Sequence, residues 1–347
     1  MFSDEALSVD VWISPEQLVT EYVERLIRYP GALQVLTFAA GRLRLVGVRA
    51  GGSAPLVGHP IRMLRDHLPD VEVRVVAVYR DGRSLEPGAE LVLKEDDEVF
   101  FLAERDQVRR VMSELRKEDN PAKRVVIAGG GSIGFRLARM LEKTHHVKVI
   151  ERDPKRARHI SEVLEHAIVL HGDAADEELL IEENIDSADV FAALTNSEEA
   201  NILSAMLAKR LGAAKVMALI NKPSYAELME SGSIDVAISP QSVTIGSLLA
   251  HVRRGDIVRV HSLKHGAAEA MEAIAHSEGG RSRVVGVAVG EIALPDGARI
   301  GAIVRDQKVI MTQDNTVVEE GDHVIIFLAD RRHVEQVERL FMTATPR

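Results

Sequence analysis

Six consecutive residues carry the densest chemical signal in the chain, Gly129-Gly130-Gly131-Ser132-Ile133-Gly134. Gly129, Gly131 and Gly134 keep a G-x-G-x-x-G spacing after the apolar run Val125-Val126-Ile127-Ala128. Ile133, Leu137 and Leu141 then recur four apart, which is one face of a helix. A strand, a tight glycine turn and a helix start, in that order, form a cradle for a diphosphate. Gly129 permits the turn, Gly131 lets the backbone approach the anion, and Gly134 lets the helix pack on the sheet. Gly130, Ser132 and Ile133 complete a loop whose unpaired amides and helix dipole favour negative charge. The plainer reading is a glycine turn that only packs.

Glu151 ends the next strand pattern, and 151 − 131 = 20 residues separate it from the middle glycine. That is the spacing of a carboxylate that accepts hydrogen bonds from an adenosine ribose. A carboxylate there disfavours a 2′-phosphate, so NAD or NADH fits better than NADP. Arg152 works against this, because an arginine can serve a phosphate. Gly172-Asp173-Ala174 ends the third strand and would form the pocket edge near the adenine. Asp173 reads equally as a cap for the next helix. Thr195-Asn196 ends the fourth strand at the expected crevice, and Asn196 with Glu199 also makes a capping pair.

Other chemistries fit less well. Gly130-Gly131-Ser132-Ile133-Gly134 is also G-x-S-x-G on a strand-turn-helix, the pattern of a hydrolase nucleophile elbow. Its histidine would have to be His251 or His261, both beyond the sheet unit. The thirteen histidines show no metal spacing. His145-His146 reads as a solvated turn, and His171 as a strand-end residue that packs, with lining of the pocket as its alternative. A dehydrogenase needs a proton-transfer group beside the nicotinamide, and no such set accompanies the motif. The chain therefore reads as a non-enzyme, with an NAD-dependent oxidoreductase of unknown substrate as the alternative.

The elements that must position these residues alternate. Strands are expected at Val125–Ala128, Val147–Ile150, Ala167–Leu170, Val190–Leu194, Val216–Ile220 and Val236–Ile238. Helices are expected at about Lys155–Leu164, Glu177–Ile181, Glu198–Leu211 and Tyr225–Met229. Such alternation implies right-handed crossovers and a parallel, doubly wound α/β sheet. The flanks read as small α+β domains, with strands at Val73–Val78, Glu90–Leu93 and Val99–Ala103 and a helix at Gln107–Leu115.

The flanks also repeat. Ser8-Val9-Asp10-Val11-Trp12-Ile13-Ser14-Pro15 returns as Ser233-Ile234-Asp235-Val236-Ala237-Ile238-Ser239-Pro240, and 233 − 8 = 225. Arg80-Asp81 returns as Arg305-Asp306 at the same offset. The second copy includes the glycine motif. The part of the first copy that would match residues 123–232 is not in the sequence, so the chain reads as a piece of a longer protein, with a first copy that has lost its nucleotide half as the alternative.

Composition narrows the partners. The chain has 347 residues, no cysteine and only 4% aromatic residues. Thiolate chemistry is excluded, and the few aromatics argue against base-stacking platforms. A net charge of −10 argues against nucleic acid. Apolar runs such as Val324–Ala329 reach strand length only, so a membrane role would be peripheral.

Several stretches resemble the TrkA family, the RCK (KTN) domain regulators of bacterial Trk potassium uptake. They are Ser14-Pro15-Glu16-Gln17-Leu18-Val19, Tyr29-Pro30-Gly31-Ala32-Leu33-Gln34-Val35, the glycine turn, the run Ala200 to Arg210, and Glu320-Gly321-Asp322-His323-Val324-Ile325. The resemblance implies a Rossmann-like RCK N domain at 124–240 between two RCK C domains at 31–117 and 256–347. It adds a remnant of a first RCK N domain at 1–30, a linker at 118–123 and a connecting helix at 241–255. It also implies a nucleotide, NAD or NADH with ATP or ADP possible at the same site. Gly129 to Gly134 would take its phosphates, Glu151 its ribose, Asp173 the region of its base, and Thr195-Asn196 the crevice. Family members assemble into cytoplasmic homo-oligomeric rings that dock on a TrkH-like membrane potassium channel subunit and gate it. Ala218-Leu219 departs from relatives that carry a ligand-contacting arginine on that strand.

Overall fold

The computed structural model describes residues 13–117, 121–222, 224–225, 234–252, 256–263, 266–277 and 283–342. Most of the expected helix at Tyr225–Met229, the loop at 278–282 and linker residues 118–120 lie outside that set.

The first copy starts with helix α1 (Pro15–Arg28), capped by the Ser14 hydroxyl on the Gln17 amide and buried along Val19, Tyr22, Val23, Leu26 and Ile27. Strands β1 (Ala32–Phe38) and β2 (Leu43–Arg49) follow. Next come the short helix α2 (Met63–His67), β3 (Val73–Arg80), β4 (Arg83–Leu85), β5 (Glu98–Glu104) and α3 (Val108–Leu115). The strands form one antiparallel sheet in the order β1-β2-β5-β3-β4. The expected strand at Glu90–Leu93 is not one. Only Val92 pairs there, in a single bridge to Pro60. The run lies along the irregular turns at residues 58–62 instead of a strand: the Leu93 amide donates to the His59 carbonyl, and the Ile61 amide to the Leu91 carbonyl.

The middle unit carries β6 (Arg124–Ala128), α4 (Ser132–Leu141), β7 (His146–Glu151), α5 (Pro154–Val163), β8 (Ile168–His171), α6 (Glu177–Glu182), β9 (Val190–Ala193), α7 (Glu198–Arg210), β10 (Lys215–Leu219) and β11 (Val236–Ile238). All strand pairs are parallel, in the order β11-β10-β9-β6-β7-β8. Both faces are covered: Ile127, Val149 and Leu137 lie in one core, and Val126, Ile150 and Phe191 in another. Burial on both faces explains why the central strands β6, β9 and β10 read as apolar runs instead of alternating. The order reverses between β6 and β9, which places a crevice at the carboxyl ends of those two strands. The residues before β6 pack rather than dangle, since Ala122 is buried and the Asp189 carboxylate accepts the Lys123 and Arg124 amides.

The second copy runs through α8 (Pro240–Val252), β12 (Ile257–Leu263), β13 (Ala268–Ile274), β14 (Ala298–Arg305), β15 (Lys308–Met311), β16 (His323–Leu328) and α9 (Val334–Leu340). Its sheet order, β12-β13-β16-β14-β15, is that of the first copy. β1, β2 and β3 begin 225 residues before β12, β13 and β14. The β-bulge between Val75 and Ala77 recurs between Ile300 and Ala302. Within each copy one buried aspartate ties the sheet. Arg80 donates from Nε and Nη2 to Asp97 at 2.7 Å, and Arg305 does the same to Asp322 at 2.8 Å.

The two small domains pack on each other. Ala302, Val304, Ile325 and Phe327 of the second copy share a core with the first. Gln34 Nε2 donates to the Ser262 carbonyl at 2.9 Å, and the Ala39 amide donates to the buried Glu272 carboxylate at 3.0 Å.

Candidate functional site

The glycine turn sits where the sheet order reverses. Gly129 has φ +101°, a conformation that a side chain strains, and its amide donates to the Ile150 carbonyl of β7. A Cβ there would lie 3.0 Å from Thr195 Cγ2 at the end of β9. Gly134 is closed off differently. A Cβ on it would sit 1.9 Å from the Gly129 carbonyl oxygen, so only glycine lets α4 start this close to the turn. Gly131 is the opposite: nothing lies within 4 Å of the place its Cβ would take. It is exposed and flanks the α4 N-terminus, where unpaired amides attract an anion.

Glu151 ends β7 beside this turn. Its Oε2 accepts the Gly130 amide at 2.7 Å and its Oε1 accepts the Asp153 amide at 2.8 Å. The carboxylate therefore braces the turn, and it keeps lone pairs for ribose hydroxyls. Arg156 adds a second brace, donating from Nε to the Gly130 carbonyl at 2.8 Å with its guanidinium over the Phe135 ring. Arg152 is exposed, and its carbonyl lies 3.2 Å from His171 Nε2. His171 is thus an exposed strand-end residue, not a packed one.

Two capping readings need correction. Asp173 does not cap α6. Its Oδ1 accepts the Ala175 amide in a tight turn, while Asp176 caps the helix through the Glu178 and Leu179 amides. Gly172 and Ala174 flank that turn, with the Gly172 amide on the Glu151 carbonyl. Asn196 does not cap α7 either. Ser197 does so, accepting the Ala200 amide at 3.3 Å, which leaves Asn196 exposed at the crevice. The cap shifts by one residue because Thr195 Oγ1 accepts the Ser197 amide and folds the strand end into a turn.

The residue that organises this end of the crevice is Asn201, buried on α7. Its Oδ1 accepts the Thr195 amide at 2.9 Å and the Thr195 hydroxyl at 2.7 Å. Its Nδ2 donates to the carbonyls of Thr195 and Leu219, at 3.1 and 3.0 Å. One side chain thereby joins the ends of β9 and β10. An asparagine three residues after a helix start, in a run of Ala, Ile and Leu, is the available sequence signal.

The hydrolase reading finds no support in the geometry. Ser132 is exposed at the first position of α4, and no histidine hydrogen-bonds to it among the described residues. His261 instead lies between the two small domains, with Nε2 3.1 Å from the Thr37 carbonyl and its ring edge-on to Phe38. The side chain of His251 lies outside the described residues. Among those residues, no group of histidine, aspartate and glutamate side chains could hold a metal ion.

Comparison with known proteins follows the same division of the chain. The TrkA-N domain matches residues 125–240, and the TrkA-C domain matches residues 45–116 and again 281–342. The Trk system potassium uptake protein TrkA of Halomonas elongata is 54% identical over 341 residues, covering 98% of this chain and 75% of that one. The protein of the same name from Vibrio alginolyticus is also 54% identical over 341 residues, covering 98% and 74%. Among solved structures the GsuK channel shares the fold, with a TM-score of 0.51 and 20% identity over 94% of this chain and 57% of that one. On these matches, the chain belongs to the TrkA family of Trk system potassium uptake proteins.

Proposed function

We propose that this protein is a nucleotide-sensing regulatory subunit of a bacterial Trk-type potassium uptake system. The observation that carries the reading is the cradle at the switch point, open at Gly131 and braced by Glu151, in a chain of the TrkA family. The ligand is a dinucleotide, NAD or NADH, or ADP or ATP on the same turn. Its diphosphate rests on the amides of Gly131 to Ile133, its ribose on Glu151, and its base near Asp173, with Thr195 and Asn196 lining the far wall. No helix among the described residues is long and apolar enough to cross a membrane. The protein acts from the cytoplasmic face, as a homo-oligomer, on a TrkH-like channel subunit.

Nucleotide can regulate only if it binds two states of the assembly with different affinity. Calorimetry with NAD, NADH, ADP and ATP tests the site, with Gly131→Asp as the control. Binding by the native chain is expected, and in the variant the loss of the one binding event per chain that belongs to the glycine turn. Equal affinity for all four nucleotides with the channel open and closed would remove the regulatory reading. NADH turnover with carbonyl compounds, abolished by Glu151→Ala, would replace it with an oxidoreductase.

A further inference from the structure

A second cavity lies at the other end of the parallel sheet. It encloses about 800 Å³ and is walled by α1 and β1 of the first copy and by α8 and β12 of the second. Its floor is Asp189, Ala214 and Asp235, the residues that precede β9, β10 and β11. The length of the sheet strands therefore separates it from the crevice at their carboxyl ends. Equivalent positions of both copies line it, such as Leu18 with Val243 and Leu36 with His261, each pair 225 apart.

Its charges are unevenly met. Arg25 projects from α1, and its Nε is buried without a hydrogen-bond partner. Its guanidinium has the Tyr22 ring beneath it, 5.9 Å to the centroid, and no carboxylate in ion-pair contact among the described residues. Arg259 reaches in from β12, with only a loose contact of 3.6 Å to Glu272. Glu272 is already committed to the Ala39 amide and to His323. Between them stands His261, whose pKa is pushed down to about 4 by burial first, with the nearby Arg259 and Arg25 charges adding to it. The floor acids do not answer these arginines. Asp189 is taken by backbone amides, and Asp235 by Lys209 and the Val216 amide. Glu98 faces Arg49 on another wall, and Glu21, one turn from Arg25, offsets part of its charge.

We propose that this cavity is a second ligand site, for an organic phosphate of nucleotide size, gripped by Arg25 and Arg259. A guanidinium pairs with phosphate oxygens through two parallel bonds, and a desolvated guanidinium gains most from such a partner. The apolar wall of Leu18, Tyr22 and Val243 takes the organic part, and the volume falls in the range of small-molecule sites. A ligand there touches both copies at once, so it bears on how they sit together and not on the glycine turn.

The test uses the full chain carrying Gly131→Asp, which disables the first site. Titration calorimetry with ADP, pyrophosphate, adenosine and citrate is compared with the same chain carrying Arg25→Gln or Arg259→Gln. ADP is expected to bind one per chain, pyrophosphate to compete, and adenosine not to bind. Each arginine change is expected to weaken ADP at least tenfold without lowering the melting temperature. In NMR titrations the His261 midpoint should rise when ADP is bound. Absence of ADP and pyrophosphate binding in Gly131→Asp overturns the proposal, as does binding indifferent to both arginine changes. Citrate binding as tightly as ADP overturns the phosphate assignment.

Discussion

Gly131 and Gly134 are the same residue kept for opposite reasons. Gly134 is glycine because the Gly129 carbonyl occupies the place of any side chain. Gly131 has empty space there and a φ of −66° that any residue adopts. Gly131→Asp should therefore leave the melting temperature within about 2 °C, as surface changes do, while its carboxylate repels a diphosphate and weakens binding at least tenfold. Gly134→Ala should act the other way. Pushing α4 off the turn costs about 1–3 kcal/mol, the usual range for overpacking, and a denaturant midpoint will report it. A Gly134→Ala chain as stable as the native one would mean that the turn is looser than its geometry.

At the scale of elements, the crevice depends on Asn201 more than on any residue that faces it. Four hydrogen bonds from one side chain hold the ends of β9 and β10 together, and Thr195 in turn abuts Gly129. Asn201→Ala leaves the Thr195 amide and the Leu219 carbonyl without this partner. Destabilisation of about 2–3 kcal/mol is expected, with a weaker nucleotide site, because buried polar groups without partners cost that order. The discriminating readout is affinity measured well below the melting temperature. If affinity is unchanged while stability falls, Asn201 is structural only. Sequence patterns placed the helices and strands around this site within a residue or two. They missed Asn201 because its partners are strand ends 6 and 18 residues away. They misplaced two caps because the choice between adjacent capping residues depends on how each strand end turns.

The whole molecule is a duplication, and two predictions belong to that level. The arginine–aspartate ties of the two copies have one geometry, so Asp97→Asn and Asp322→Asn should cost alike, about 2–3 kcal/mol each for a hydrogen-bonded charge lost. Urea unfolding of the two variants checks this, and a large difference would mean that the copies do not carry equal shares of stability. The second concerns pH. His261 titrates at about 4 in the folded chain, against 6.5 for an ordinary histidine, chiefly because it is buried. The unfolded chain therefore takes up the proton first as pH falls. The stability due to His261 is complete above pH 6.5 and is lost as pH drops towards 4, by up to about 3 kcal/mol. Melting temperatures from pH 7 to 4, compared with His261→Asn, should show a shallower decline in the variant.

The sequence by itself determined the parallel sheet, the glycine cradle, the acid at its edge and the duplication. Each of these is a local pattern or a register, and a chain that must bury apolar runs of that period has few ways to satisfy them. Glu151 is legible at 20 residues because strand, turn and helix lengths are set locally. Only the tertiary structure decided what the copies do to each other. Arg25 and Arg259 share one cavity, and Glu272 reaches the Ala39 amide 233 residues away, because two packed sheets bring them together. No periodicity encodes such contacts, since they arise from the fit of faces that are each complete on their own.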